Sequence, residues 1–211
     1  MNYNGWHRKE QKEVAITIVK DIENKRGILR EVDILEAVKG HKNVIGFYGA
    51  FYHPASVKMP EHLINTRRSL TEDWIAYICR EVLQGLCHLH KQKVIHHDLR
   101  PQNIIVTSSA DVKITLPPWG QPYTAPEVLS NISTKTIRYN SKADIWSLGI
   151  SALEMAEGYY RKSDNFRAFI SEILQKNAAW RPSAEQLLSH PFISNIPNEM
   201  GVTDSIKWYL H

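Results

Sequence analysis

The run VIHHDLRPQNIIV, residues 94–106, places a polar loop between two short β-branched segments. Asp98 and Asn103 lie five positions apart in that loop. A carboxylate so placed can accept a proton or orient a hydroxyl. An amide oxygen a few residues further on can ligate a hard cation such as Mg²⁺. Arg100, between them, offers positive charge to a phosphate. The same letters also describe an ordinary polar turn whose Asp and Asn satisfy their own backbone. The flanking sequence has to decide between the two.

Before the loop, Ile75, Ile78, Val82, Leu86 and Leu89 recur every three or four positions, which predicts a helix over residues 69–90 with one buried face. Ser69 and Glu72 have capping-box spacing at its start. Residues 13–20, EVAITIVK, read as a strand. Residues 26–38 carry Ile28, Val32 and Leu35 at helical spacing and read as an amphipathic helix ending near Gly40. Residues 43–51, NVIGFYGAF, read as a further strand with a glycine break, and the prolines in residues 53–60 mark a loop. In and after the loop, residues 94–95, 104–106 and 111–116 read as short strands, the last stopped by Pro117 and Pro118. Residues 143–157 and 165–175 are apolar helices, and Ser183 with Gln186 opens a last helix with a second capping box. A small β-rich start followed by a mostly helical remainder is an α+β arrangement.

The chain has 211 residues, enough for one ordinary domain or two small lobes. Its formal charge of +4 invites a nucleic-acid reading, but Lys and Arg are spread along the chain without a dense basic run interleaved with aromatics, so no nucleic-acid partner is expected. No apolar run is long enough to predict a membrane span, and the first residues lack the apolar stretch of a secretory signal. Cys79 and Cys87 fall eight positions apart on one helix, too far for contact, so a reducing compartment is the simplest reading. Cys87, His90, His96 and His97 do not make a metal set, because zinc needs about four convergent ligands. The six tryptophans read as packing residues.

The loop resembles the H-R-D-L-x-x-x-N catalytic loop of protein kinases, and further matches follow in the family's order. Ala125-Pro126-Glu127 is similar to the A-P-E motif, and residues 144–149, DIWSLG, resemble the start of the central helix of the larger lobe. The resemblance makes Arg181 the partner of Glu127, and Asp144 the carboxylate that holds the loop backbone from below. Residues 71–90, 152–158 and 181–193 resemble the germinal-centre kinase group, in particular its misshapen, Nck-interacting and Nik-related branch. The resemblance covers about residues 3–196. It implies a bilobal fold, with a shortened N-lobe over residues 1–60, a mainly helical C-lobe over 61–196 and a tail over 197–211. It also implies ATP and Mg²⁺ as cofactors, signalling proteins or other kinases as partners, and a cytoplasmic location. In the catalytic loop it makes Asp98 the base, Arg100 a phosphate contact and Asn103 a metal ligand.

Several positions depart from the family pattern. Thr17 stands where the family has the lysine of V-A-I-K, which grips the α- and β-phosphates. Glu31, the helix partner of that lysine, is retained. Lys20 is three residues on, which puts it on the opposite face of a strand from Thr17. Residues 3–7 resemble the segment just after the glycine-rich loop, and no counterpart of the adenine-binding hinge follows Phe51. Thirteen residues after Asn103, where the family has the aspartate of D-F-G, stands Leu116. The segment that follows is too short for an activation loop, Gln121 replaces a threonine that contacts the catalytic aspartate, and His97 replaces the loop arginine. After Gly158 a substrate-docking helix is missing. The expectation is a serine/threonine kinase homologue that is inactive in this form and acts by binding proteins, with ATP and Mg²⁺ bound weakly or not at all. The alternative is an active ATP-dependent serine/threonine kinase whose sequence here is incomplete, because the losses are segment-like and lie between well-kept blocks.

Overall fold

The computed structural model describes residues 2–9, 11–17, 25–50, 70–116, 125–132, 140–157 and 162–210. β1 (Asn2–His7) and β2 (Lys12–Thr17) form an antiparallel pair in which Tyr3 faces Ile16 and Gly5 faces Val14. Gly5 makes room for that pairing, since a Cβ there would lie 2.6 Å from Ile16 Cδ1. α1 (Lys25–Val38) ends on a buried valine, Val38, and the chain turns at Gly40 with φ +90°, a value glycine adopts without a Cβ penalty.

α2 (Glu72–Lys91) is the axis of the core. The five apolar residues of its predicted face are all buried. Its N-cap is Thr71, whose Oγ1 accepts from Trp74 N at 3.3 Å, so the helix starts later than the Ser69 spacing suggests; Ser69 itself lies outside the described residues. Its C-terminus closes in a Schellman arrangement: Lys93, at φ +58°, donates to His90 O and Val94 N donates to Leu89 O. That bond explains one difference from the sequence reading. Residues 94–95 are not a strand, because the Val94 amide completes the helix cap.

β3 (Ile104–Val106) and β4 (Val112–Ile114) form the second antiparallel pair, preceded by a 3₁₀ turn at Pro101–Asn103. Residues 43–50 do not form the expected strand; Phe51 lies outside the described residues. Only Val44 pairs, in a parallel bridge to Ile114, because β4 is three residues long and has room for one exchange: Ile114 N donates to Asn43 O and Ile45 N donates to Ile114 O, both at 2.9 Å. The 53–60 loop also falls outside the described residues.

α3 (Pro126–Ile132), α4 (Lys142–Met155), α5 (Asp164–Ile173), a 3₁₀ turn (Ala178–Trp180), α6 (Ala184–Leu187), α7 (Pro191–Ser194) and α8 (Glu199–Leu210) complete the chain. The Ser183–Gln186 capping box forms as expected. One apolar cluster joins α2, β4, α4, α5, α6, α7 and α8, with Val38 and Val44 at its edge. The architecture is α+β, as the sequence order implies. α8, within residues the motifs left unmatched, packs on α2: Val202 and Ile206 are buried, Trp74 Nε1 donates to Ser205 Oγ at 2.8 Å, and Arg80 makes a two-pronged pair with Glu199 at 2.9 and 2.5 Å. No helix among the described residues is long and apolar enough to cross a membrane.

Candidate functional site

The loop between α2 and β3 is held from beneath by one carboxylate. Asp144, in the first turn of α4, is 1% exposed. Its Oδ2 accepts from His90 Nε2 at 2.8 Å and His96 N at 3.0 Å, and its Oδ1 accepts from His97 N at 3.1 Å. Taking a carboxylate out of water costs several kcal/mol, which only such a set of donors offsets. The two loop amides converge because His97 takes φ +67°, a left-handed value that is uncommon outside glycine but less so for histidine.

His96 ties the loop to the end of β4. Its Nδ1 accepts from Asp98 N at 3.2 Å, so the neutral ring carries its proton on Nε2, which donates to Thr115 O at 2.6 Å. Burial pushes the His96 pKa below its ordinary value, against the opposing pull of Asp144 and the Thr115 carbonyl. Thr115 also closes the far side: its N donates to Asn103 O at 2.9 Å.

Within this frame Asp98 and Asn103 meet. Asn103 Nδ2 donates to Asp98 O at 2.7 Å and to Asp98 Oδ2 at 2.8 Å. Asp98 is 7% exposed, and its Oδ1 is buried with no hydrogen-bond partner among the described residues. Such an orphaned oxygen is costly and stands out among buried polar groups. Arg100 Nε donates to Gln102 Oε1 at 2.9 Å at the loop's exposed edge.

A second anchor lies below the loop. Arg181, 1% exposed, spends both guanidinium forks: Nη1 and Nη2 pair with Glu127 at 2.8 and 2.7 Å, while Nε, Nη1 and Nη2 also donate to the carbonyls of Gln175, Lys142 and Lys176. Its guanidinium lies 5.0 Å from the Trp146 ring centre. This is the pairing that the resemblance gave to Arg181 and Glu127.

The positions that would receive a nucleotide look different. Leu116, next to Thr115, packs against the main apolar cluster. Thr17 is the last residue of β2, paired with Asn2; Lys20 lies outside the described residues, as do Gln121 and Pro117. Glu31 is half-buried on α1, and among the described residues burial is what raises its carboxyl pKa. Hard cations such as Mg²⁺ are held by carboxylates and other oxygens. The described residues offer Asn103 and no second ligand at residue 116, and no group of three His, Cys, Asp or Glu residues converges among them. The described residues therefore do not by themselves make up a catalytic magnesium site.

Motif reasoning found Asp98, Arg100, Asn103, Asp144, Glu127 and Arg181. It missed His90 and Thr115, which act across 54 and 19 positions of sequence, and it missed the junction at Asn43. Asn43 Nδ2 bridges Glu81 Oε2 at 2.8 Å and Val112 O at 2.9 Å, and Lys42 pairs with the same Glu81 oxygen at 2.8 Å. Gly85 allows that approach, since a Cβ there would meet Asn43 O at 3.0 Å.

The protein kinase domain family matches residues 2–115, a match that ends one residue before Leu116. The serine/threonine-protein kinase mig-15 of Caenorhabditis elegans is 34% identical over 270 residues, covering 99% of this chain and 25% of its own length. The Nik-related protein kinase of Mus musculus is 34% identical over 238 residues, covering 85% and 16%. Misshapen-like kinase 1 of Rattus norvegicus is 33% identical over 266 residues, covering 97% and 20%. The chain spans a quarter or less of the length of these relatives. The 270-residue match to mig-15 is longer than the 211-residue chain, so it must leave gaps in this chain.

Proposed function

The chain belongs to the protein kinase family, in the branch of the misshapen and Nik-related kinases, and from that premise we propose that in this form it is a catalytically inactive homologue that acts by binding other proteins. The observation that carries the proposal is the contrast at one loop. Asp98 and Asn103 keep a bonded arrangement at the base and metal-ligand positions, while the residue at the second metal position is a leucine, partly buried against the apolar cluster. Phosphoryl transfer is mostly positioning plus charge stabilisation. Loss of one electrostatic stabiliser typically costs roughly 10²–10³ in rate. Here the phosphate-gripping lysine, at Thr17, and the metal carboxylate, at Leu116, are replaced together.

In this reading Asp98, Arg100 and Asn103 stand at the base, phosphate-contact and metal-ligand positions, and Glu31 faces the nucleotide position without its lysine. The partners are cytoplasmic signalling proteins or other kinases, which dock on the body built around α2 and α4. A thermal melt of the purified chain with ATP and Mg²⁺ tests it. No shift in midpoint is expected; a saturable rise, lost when Asp98 or Asn103 is replaced, would overturn the proposal.

One observation favours a second reading. The segments that the family resemblance leaves without a counterpart lie between blocks that keep their motifs, as segment loss rather than gradual decay produces. A longer transcript of the same gene that supplies a hinge and a D-F-G in frame would encode an active ATP-dependent serine/threonine kinase. Sequencing the transcripts decides between the two.

A further inference from the structure

The turn that leads from α1 into the body of the molecule rests on a pair of histidines outside the catalytic loop. Val38 ends α1, Gly40 turns the chain, and His41 follows. The His41 ring lies on the ring of His88, from α2, with ring centres 4.7 Å apart and planes inclined by 18°. His88 Nε2 donates to Val38 O at 3.0 Å, one of the carbonyls that a helix end leaves without an intrahelical partner. His41 Nδ1 accepts from Asn43 N at 3.2 Å, and Val44 N donates to His41 O at 3.1 Å. From Asn43 onward the chain is fixed separately. The Asn43 side chain bridges Glu81 and Val112 O, and its carbonyl accepts from Ile114 N. Among the described residues, the turn over residues 39–42 is therefore held on α2 through these two imidazoles.

The two rings answer a proton differently. His88 bonds Val38 through its Nε2–H, so a proton added at its Nδ1 leaves that bond intact. His41 uses its Nδ1 as an acceptor, so a proton there sets one N–H against another and breaks the bond to Asn43 N. The surroundings also resist a charge on His41. Burial lowers its pKa, followed by His88 and Lys42; Glu81 pulls the other way, and Lys113 of β4 adds to the lowering. Lys42 is engaged with Glu81 at 2.8 Å, and Lys113 donates to Lys42 O at 2.6 Å. On α1, Lys39 pairs with Glu36. A histidine whose folded pKa is depressed stabilises the closed form above its unfolded value of about 6.5, and that stability is lost as pH falls below it.

We propose that His41 is a proton-operated catch between α1 and the body of the molecule. Neutral, it closes the turn over residues 39–42 onto α2. Protonated at Nδ1, it lets that turn and the end of α1 come loose while Asn43 stays anchored. The proposal is independent of whether the chain transfers phosphate. It is tested by residue-resolved amide exchange NMR of the full chain at pH 7.5 and 5.5, with the His41 and His88 rings titrated alongside. After correction for the intrinsic pH dependence of exchange, protection of the Asn43 and Val44 amides should fall about two- to tenfold, the worth of one hydrogen bond. The His41 ring should titrate below the ordinary histidine value. Two variants separate this local opening from the acid response of the rest of the fold. His41→Asn offers Asn43 N a side-chain oxygen that does not titrate in this range, and should keep both amides protected at pH 5.5. His41→Ala offers no acceptor and should leave both weakly protected at either pH. Unchanged protection in the parent chain, a pH-dependent fall that persists in either variant, or a His41 ring that titrates at or above the ordinary value would each overturn the proposal.

Discussion

The two sides of the catalytic loop have been treated differently. On the lower side every polar group is matched: Asp144 takes three donors, His96 uses both ring nitrogens, and Arg181 is saturated by Glu127 and three carbonyls. On the upper side, Asp98 Oδ1 is buried without a partner among the described residues, burial raises the Glu31 pKa, and Leu116 sits where the resemblance puts a charge. The lower contacts hold the fold together, and their loss would unfold it. On the proposed reading the upper ones answer to a ligand rather than to the fold, and their loss should leave the fold standing. If the chain is inactive as proposed, the scaffold has kept the shape of the loop without the requirements of catalysis.

The largest effect expected from this contrast is on stability. Asp144→Ala removes the acceptor for two buried loop amides and for His90, and should destabilise the protein by about 3–5 kcal/mol in urea unfolding. Asp98→Asn, one turn of the loop away, should cost under about 1 kcal/mol, since only one of its oxygens is bonded. Equal costs at the two sites would erase the comparison. Leu116→Asp should come next, with a loss of about 1–3 kcal/mol from pulling an apolar group out of the cluster and bringing in a charge. In that variant, Mg²⁺ should raise the melting midpoint, whereas the parent chain should not respond; a response in the parent would show that Asn103 alone holds the ion.

Acid should act on the lower side. The folded pKa of His96 is depressed, so the unfolded chain takes up the proton first and stability falls as pH drops through about 6.5 and below. Denaturant midpoints at pH 7.5 and 5.5 should show the loss, and its absence would mean that His96 is not the neutral bridge to Thr115. The smallest effect belongs to Glu31. Its raised pKa means that the ionised carboxylate opposes folding at neutral pH and does so less as pH falls, so Glu31→Gln should leave the unfolding midpoint at pH 7 unchanged or raise it slightly, solvent screening keeping the effect small. A clear destabilisation would reveal a cation paired with Glu31.

Helices and caps were legible wherever the pattern was local. The buried face of α2 followed from Ile75, Ile78, Val82, Leu86 and Leu89, and the α6 cap from Ser183 and Gln186. The site was legible through motif order, which placed Asp144 under the loop and Arg181 against Glu127. What stayed hidden acts across distance. Nothing near His90 in sequence shows that it reaches Asp144, and nothing near Asn43 shows Glu81 and Val112. Residues 43–51 have strand composition, but a strand exists only where a partner edge does, and β4 offers one position. The α8 signal was present and passed over: Val202, Ile206 and Leu210 lie four apart, a buried stripe on a helix that motif matching left as tail.

On the proposed reading the loop keeps its shape without its chemistry. Incubation of the purified 211-residue chain with labelled ATP, Mg²⁺ and a generic protein substrate, beside the Asp98→Asn variant, tests it most directly. No transfer above background is expected in either. Label in the substrate that depends on Asp98 would contradict it.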